Sequence, residues 1–188
     1  GGDGTCAGGA DAVLKSGKQA DIAGIPSGTG NDFAKTLGVH DLGLDRIAAL
    51  IEVGQTHQMD VGRADGKHFI NSCGFGFDAA VLEATQQVRF LKGDAVYVYS
   101  ALAQLLTYRG IEVAIRGRAD ADVRKMLLLT VSNGQFLGGA FHIAPDASAV
   151  DGALDFGFFT DRAVLERVRI SLGALRGRHL PPPLLLPA

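Results

Sequence analysis

The sequence predicts an α/β domain followed by a mainly β second domain, β-sandwich-like and with helices attached. Two observations predict this fold class. Helical and strand-like patterns alternate up to about residue 54, which is typical of α/β folds. Beyond that point, short runs with strand periodicity predominate. The predicted domains are residues 1–56 and 57–180, and a Pro- and Leu-rich tail over 181–188 is expected to be disordered.

Apolar spacing and glycine stops define the elements of the first domain. Gly17, Gly38 and Gly54 follow stretches with helical spacing, as glycine does after many helices. The mostly apolar run 20–25 is short and bounded by Pro26, so it is predicted as a strand of a parallel sheet. The predicted elements are a helix over 7–16, a strand over 20–25, a short helix over 31–37 capped by Asn31 or Asp32, and a helix over 45–53.

The second domain is predicted from strand-like runs and amphipathic helices. The run 126–131 is continuously apolar, which is typical of a strand covered on both faces. The clearest helix covers 95–107, where Val98, Leu102 and Leu105 share a face. The predicted elements are strands over 58–63, 67–73, 111–116, 126–131 and 154–159, and helices over 81–90, 95–107 and 162–175.

Two glycine-rich turns carry most of the chemical information in the chain. The first is Gly1-Gly2-Asp3-Gly4-Thr5, and the second is Ser27-Gly28-Thr29-Gly30-Asn31, followed by Asp32. Glycine backbone admits a ligand closely, and the N–H groups of such turns and of the following helix bind phosphate oxygens. An acid there repels phosphate unless a divalent cation lies between them, and Mg²⁺ commonly fills that role. The turns therefore predict a nucleoside triphosphate with Mg²⁺.

Other common sites have little support in the sequence. The turns match neither G-x-x-x-x-G-K-[ST] nor G-x-G-x-x-G, which argues against a P-loop and a dinucleotide fingerprint. The two cysteines and five histidines have no metal-ligand spacing, and Ser27 has no paired base. The net charge of −2 provides no overall basic field for nucleic acid. No apolar run approaches about 18 residues, so no transmembrane helix is predicted.

In the two glycine turns the sequence resembles the diacylglycerol kinase catalytic domain family, in particular bacterial soluble lipid kinases and sphingosine kinase-like enzymes. The resemblance extends from residue 1 to about residue 175. Further segments match in order: Met59-Asp60-Val61-Gly62, Phe69-Ile70-Asn71, Gly74-Phe75-Gly76-Phe77-Asp78, Lys92-Gly93 followed by Tyr97, Gly138-Gly139, Ala144-Pro145-Asp146-Ala147, and Asp151-Gly152-Ala153-Leu154-Asp155.

The resemblance implies a partial nucleotide-binding domain and assigns residues to its site. The implied nucleotide-binding residues are Gly1, Gly2, Asp3, Gly4, Thr5, Gly28, Thr29, Gly30 and Asn31. Asp3 and Asp32 would join a water and Mg²⁺ network at the phosphates, in a supporting catalytic role. Capping of a helix is an equal alternative for Asp32. Thr5 is expected to contact a phosphate, to cap its helix, or both.

A second metal position is implied in the acidic loop over residues 146–155. Asp146, Asp151 and Asp155 cluster there, and clustered acids suit a hard cation with oxygen ligands. From the residues alone, an ordinary Asp-Gly turn is the preferred interpretation. The resemblance favours a structural Mg²⁺ bound by the Asp151 side chain and by the carbonyl groups of Ser148 and Ala153.

The resemblance implies an ATP-dependent lipid kinase that phosphorylates a lipid hydroxyl, such as that of diacylglycerol. Phosphoryl transfer to an alcohol needs a base, and in the family this acid lies beyond the helix that ends near residue 175. The chain also opens inside a motif, so we expect a fragment truncated at both ends and weakly active or inactive. The alternatives are an NAD kinase-like phosphotransferase, which would phosphorylate NAD, and a non-catalytic fragment, which would bind nucleotide without turnover.

The charge distribution bears on partners and location. Residues 161–188 hold five arginines and two acids, a net +3, which leaves −5 for the remainder of the chain. A basic end favours transient contact with an anionic membrane surface, and a helix with a solvated polar face is an equal alternative. The expected partner is a lipid alcohol and no nucleic acid, and the sequence predicts no oligomeric state. With two free cysteines, the expected location is the cytoplasm, at the periphery of the membrane.

Overall fold

The computed structural model describes residues 1–91, 94–115, 122–139 and 141–175. Three helices come first in these ranges, and strands and helices then follow one another. In chain order the elements are α1 (Asp3–Ser16), α2 (Asp32–Thr36), α3 (Leu44–Val53), β1 (Gly62–Ala64), β2 (Lys67–Phe69), β3 (Ser72–Gly76), α4 (Phe77–Gln87), α5 (Asp94–Thr107), β4 (Ile111–Ile115), β5 (Asp122–Ser132), β6 (Phe136–Leu137), β7 (Phe141–His142), β8 (Asp155–Thr160) and α6 (Val164–Leu175).

The chain forms two compact units, each built from two separate stretches. The first unit combines residues 1–73 with 132–155, and the second combines 74–131 with the chain from 156 onward. The division of the sequence into domains over 1–56 and 57–180 stays a prediction. The tail over 181–188 lies outside the described residues.

The first unit has a small core between α1, α2 and the hairpin of β1 and β2. Ala10, Phe33 and Ile70 are buried together, and Cys6 and Met59 pack against them. The two strands are antiparallel and are joined by a two-residue turn in which both residues have positive φ, as tight hairpins require.

An aspartate in the middle of α1 binds the helix to β2. Asp11 accepts a hydrogen bond from the His68 N–H at 3.0 Å, and the same carboxylate oxygen lies 3.0 Å from the His68 ring nitrogen Nδ1. Its other oxygen accepts from the Lys15 ammonium at 2.7 Å. The Lys15 hydrogen bond, followed by the His68 N–H, holds the pKa of Asp11 well below its usual value.

The predicted strand over residues 20–25 is wrong, because this stretch has no regular secondary structure. Among the described residues, the backbone hydrogen bonds at its end go to the first residue of the chain. The Gly1 amino group donates to the Ile25 carbonyl at 2.8 Å, and the Ser27 N–H donates to the Gly1 carbonyl at 3.3 Å. A strand needs a ladder of hydrogen bonds with a neighbouring strand, and two bonds to one residue do not form a ladder.

The larger sheet has the strand order β3-β5-β4, and β8 also pairs with β5. Strands β4 and β5 are antiparallel, with Ile111 opposite Met126. Alternate side chains of β5, namely Met126, Leu128 and Thr130, are buried, and the side chains between them are half-buried. The predicted strand over 126–131 is therefore present, and it extends further in both directions.

Other elements begin or end away from their predicted limits. Helices α1 and α4 each begin four residues before the predicted start, because glycine-containing motif residues form their first turns. The predicted strand over 58–63 is reduced to β1, and the one over 67–73 is divided into β2 and β3. Helices α3 and α5 match their predicted limits to within one residue.

Candidate functional site

The first glycine turn, residues 1–5, leads directly into α1. Gly2 is the N-cap, and the N–H groups of Thr5 and Cys6 donate to its carbonyl at 3.0 and 3.1 Å. In the described part of the chain, the N–H groups of Asp3 and Gly4 donate to no protein acceptor, as expected for the first turn of a helix. Thr5 is exposed inside the helix and does not cap it, so only its predicted phosphate contact stays a prediction.

The second glycine turn, residues 27–31, packs against the first through bare backbone. A Cβ atom placed on Gly28 would lie 2.5 Å from the Gly2 Cα, and one placed on Gly2 would lie 3.1 Å from the Gly28 Cα. A side chain at residue 28 would therefore push the turns apart. A Cβ atom on Gly30 would lie 2.9 Å from the Asp3 carboxylate. Thr29 lies exposed between these two glycines, so Asp3 and Thr29 belong to neighbouring turns.

Asn31, at the start of α2, closes the second glycine turn. Its side-chain oxygen accepts from the Gly28 N–H at 2.9 Å, and its side-chain nitrogen donates to the Gly28 carbonyl at 2.6 Å. Asn31 has a φ of 51°, in the left-handed region that Asn tolerates better than most residues. The side chain thus fixes the backbone between residues 28 and 31.

Asp3 caps α2 and not the helix in which it lies. Its Oδ1 accepts a hydrogen bond from the Phe33 N–H at 2.9 Å, in the first turn of α2. The predicted capping of this helix by Asn31 or Asp32 is wrong, because neither side chain forms a cap bond there. Asp3 can serve as the cap because the first glycine turn brings it beside the start of α2.

A third glycine turn, Gly138-Gly139, is bound to the same short helix. Asp32 is 5% exposed, and its two oxygens accept from the Gly139 N–H at 2.9 and 3.1 Å. Lys35 lies 3.2 Å from Asp32, donates to the Gly139 carbonyl, and is 5.5 Å from the centre of the Phe136 ring. Gly139 has a φ of 82°, and a Cβ atom placed on it would lie 3.0 Å from the Gly30 Cα. Three successive residues at the start of α2 therefore each bind a different glycine turn. Asn31 binds the second turn, Asp32 binds the third, and the Phe33 N–H binds Asp3 of the first.

A small hollow lies beside the contact of the first two glycine turns. Its lining includes backbone of Gly1 and Gly2, and the side chains of Asp3, Cys6 and Phe33. Four of the nine predicted nucleotide-binding residues line the hollow, namely Gly1, Gly2, Asp3 and Asn31. Their binding of nucleotide stays a prediction.

The acidic loop over residues 146–155 is held together by its own backbone and by Asp60. Asp60 accepts from the Gly152 N–H at 2.7 Å, and Asp151 accepts from the Ala153 N–H at 3.0 Å. Burial, followed by the nearby charges of Asp151 and Asp146, raises the pKa of Asp155. In the described ranges no three His, Cys, Asp or Glu side chains are arranged to hold a metal. The predicted ligands are one carboxylate and two carbonyl groups, so this Mg²⁺ site stays a prediction.

Several residues of the site were not predicted from the sequence. Lys35 carried no motif signal, and Gly139 was noted only as part of a matching segment. Asn71 donates to the Phe136 carbonyl at 2.8 Å and accepts from the Thr36 hydroxyl at 3.1 Å, which joins α2 to β6 a second time. Like Gly139, Asn71 was noted only as part of a matching segment, Phe69-Ile70-Asn71.

Comparison with known proteins assigns the family. Residues 71–185 match the family model described as YegS C-terminal NAD kinase beta sandwich-like domain, and residues 1–64 match the model described as Diacylglycerol kinase catalytic domain. The chain belongs to the family that combines these two domains, the diacylglycerol kinase catalytic domain and the YegS C-terminal domain.

Relatives in this family carry lipid kinase names. The chain is 28% identical over 181 residues to "Diacylglycerol kinase" of Bacillus subtilis (strain 168), an alignment that covers 96% of this chain and 60% of that protein. It is 32% identical over 178 residues to "Probable lipid kinase YegS-like" of Pseudomonas putida strain KT2440, with 94% and 57% covered. The crystal structure of a diacylglycerol kinase from Bacillus anthracis str. Sterne superposes with a TM-score of 0.64 at 27% identity, covering 89% of this chain and 53% of that one.

The chain spans less than two thirds of the length of those three proteins. The structural likeness and the beta sandwich-like model over residues 71–185 confirm the predicted fold class. Within the described ranges, no helix combines the length and apolar character that crossing a membrane requires.

Proposed function

We propose that this chain carries the nucleotide-binding part of an ATP-dependent lipid kinase, which transfers a phosphoryl group to a lipid hydroxyl such as that of diacylglycerol. The observation that carries the proposal is the close packing of Gly2 on Gly28. This contact brings the N-terminus of a 14-residue helix and a second glycine turn to one surface. The lipid acceptor is supported by the names of the relatives, which are lipid kinases.

The backbone of the first glycine turn fits the phosphates of ATP. The N–H groups of Asp3 and Gly4 are free of protein acceptors in the described residues, and the helix dipole adds positive potential at this end. Neighbouring glycines leave the surface without side chains that would exclude a ligand. We assign phosphate binding to these groups together with Thr5, Thr29 and the backbone of the second glycine turn.

Asp3 fits a position beside Mg²⁺. Its Oδ1 is used by the Phe33 N–H, whereas its Oδ2 accepts no hydrogen bond from the described protein residues and faces Gly30. One oxygen can thus hold α2 in place while the other binds the cation or its water. When bound, Mg²⁺ would neutralise charge on the phosphates during transfer. We also assign a structural Mg²⁺ to Asp151 and the carbonyls of Ser148 and Ala153, supported by the match of this loop to the family model over residues 71–185.

Contact with an anionic membrane surface would depend on the exposed arginines of the basic end. Arg167, one of three arginines in the described part of the basic end, is buried and paired with Asp161. Arg162 and Arg169 are exposed, but Arg162 lies 3.6 Å from Glu166, so any contact with an anionic surface in this range would be transient.

The experiment is calorimetric titration of MgATP into the chain and three variants. Gly28→Ala inserts a methyl group 2.5 Å from the Gly2 Cα and should abolish measurable binding. Asp3→Asn should weaken binding about tenfold or more, since it removes the charge that attracts Mg²⁺. Gly8→Ala is the matched control: a Cβ atom there meets nothing within 4 Å, and alanine favours a helix.

Binding would be followed by phosphoryl-transfer assays with diacylglycerol and with NAD as acceptors. Transfer to NAD alone would replace the lipid kinase by the NAD kinase-like alternative. Folded wild-type chain that does not bind MgATP, or Gly28→Ala chain that binds it normally, would contradict the nucleotide site itself.

A further inference from the structure

One ion pair binds both polar groups of Gly139 in the third glycine turn. The Asp32 carboxylate accepts from the Gly139 N–H, and the Lys35 ammonium donates to the Gly139 carbonyl. The side chains of the pair are only 8% and 16% exposed. A charge pair this far from water contributes little net stability, but removal of one partner leaves the other unpaired. We call this arrangement the Asp32–Lys35 clamp.

The backbone of the third glycine turn, which the clamp binds, lies close to the backbone of the second. A Cβ atom on Gly139 would lie 3.0 Å from the Gly30 Cα, and a Cβ atom on Gly30 would lie 3.4 Å from the Gly139 Cα. On its other side, Gly30 faces the Asp3 carboxylate, where a Cβ atom would come to 2.9 Å. Gly30 therefore lies between the Asp3 carboxylate and the backbone of the third glycine turn.

We propose that Asp32 and Lys35 are positioning residues, which act through Gly139 to hold Gly30 against Asp3. This inference rests on the proposed function, because its effect would be on the phosphate end of the nucleotide site. Both Asp32 oxygens already accept the Gly139 N–H, so the residue acts on the site through backbone. The clamp thus makes the third glycine turn a part of the site, although residue 139 is 107 positions from Asp32 in sequence.

The hairpin of β6 and β7 has a second attachment, which allows the clamp to be tested without unfolding. Asn71 donates to the Phe136 carbonyl, and its oxygen accepts from Thr36 of α2. Loss of Lys35 should therefore shift the Gly138-Gly139 end of the hairpin while the Phe136 end stays on α2. Lys35→Met and Asp32→Asn keep the approximate size of each side chain.

The test measures dissociation constants for MgATP and for AMP, together with the unfolding temperature. We expect Lys35→Met and Asp32→Asn each to weaken MgATP binding about tenfold, with a smaller change for AMP.

The double variant should bind MgATP no more weakly than the worse single variant, since both residues act through one turn. Lys35→Arg, which keeps the charge and the donors, should recover most of the loss. A purely structural role would change both ligands alike. Lys15→Met, which removes the exposed pair with Asp11, is the matched control.

A second pair of variants tests the turn independently of the charges. Gly139→Ala and Gly17→Ala both place alanine at positive φ, at 82° and 66°, but only the Cβ atom at residue 139 meets neighbouring backbone. Both should lower the unfolding temperature, and only Gly139→Ala should weaken MgATP binding.

If wild type binds MgATP and both Lys35→Met and Gly139→Ala bind it equally well, the clamp has no positioning role and the proposed function stands. If folded wild type does not bind, the proposed function fails first. If the Lys35→Met chain does not fold, Lys35→Gln takes its place. Normal affinity of the Lys35→Gln chain for MgATP would equally overturn the positioning role of the clamp.

Discussion

At the scale of single residues, α1 carries two aspartates that bind backbone far away in sequence. Asp3 accepts the Phe33 N–H, and Asp11 accepts the His68 N–H. The glycine-rich motif identified Asp3 as a site residue, but neither partner could be predicted. A carboxylate in the sequence shows a capacity to accept hydrogen bonds, whereas its donor depends on which turn the fold brings beside it.

Asp11 predicts an acid-dependent loss of stability. Its pKa in the folded chain is lowered from the usual 3.8 by Lys15 and by the His68 N–H. A lowered folded-state pKa means that the carboxylate stabilises the fold above about pH 3.8, and that this contribution is lost as the pH falls further. Asp11→Asn should therefore lower the urea midpoint at pH 7, and the difference from wild type should shrink below about pH 4.

Urea unfolding from pH 7 to pH 2.5 would measure this difference. Asp41→Asn is the control, because that side chain is 86% exposed. Among the basic side chains of the described residues, it contacts only the His40 ring. A difference between Asp11→Asn and wild type that is absent at pH 7, or that persists unchanged into acid, would count against the assignment.

At the scale of elements, helices were predicted better than strands because their signal is local. The apolar face of α3 and that of α5 repeat within a few residues, and both helices match to within one residue. The run 20–25 has similar apolar content, but a strand exists only with a partner, and its partner cannot be read from the run itself. Asp32 shows the same limit at the site, because its contact with Gly139 depends on how residues 132–155 return to the first unit.

Arg167 joins α6 to the C-terminal end of α5 and predicts a large loss of stability on removal. It donates to the carbonyls of Leu105 and Tyr108 at 3.1 and 2.8 Å and is paired with Asp161. Burial raises the pKa of Asp161, but hydrogen bonds from Lys125 and Arg167 outweigh it and lower that pKa. Arg167→Met should destabilise the chain by roughly 3–5 kcal/mol, because it leaves a half-buried carboxylate and three carbonyl groups, that of Arg162 included, with fewer donors.

The matched control for Arg167→Met is Arg162→Met, two residues before α6. Arg162 lies 3.6 Å from Glu166 with both side chains about half exposed, so its loss should cost no more than about 0.5 kcal/mol. Chemical denaturation of both variants compares the two costs. Equal and small effects would show that the Arg167 contacts do not stabilise the second unit.

At the scale of the whole molecule, each unit is closed by a stretch that returns late in the chain. The first unit needs residues 132–155, and Asn133 is the clearest link between its two stretches. This buried side chain donates to the carbonyls of Asp60 and Ile70, both at 2.8 Å, while its N–H donates to the Asn71 carbonyl at 2.7 Å. The sequence motifs identified both stretches as parts of one family pattern, but not that Asn133 connects them.

Asn133→Ala should therefore loosen both stretches of the first unit together. Loss of two buried donors should cost about 2–4 kcal/mol, because the Asp60 and Ile70 carbonyls are left without them. Hydrogen exchange should become faster at Asp60, whose N–H binds the Ala149 carbonyl, as well as at Gly134. Gln135→Ala removes two longer contacts, 3.3 Å to the Ala147 carbonyl and 3.2 Å to the His142 ring, and should cost less. Faster exchange confined to residues near 133, with Asp60 unchanged, would mean that the early stretch holds its structure without the late one.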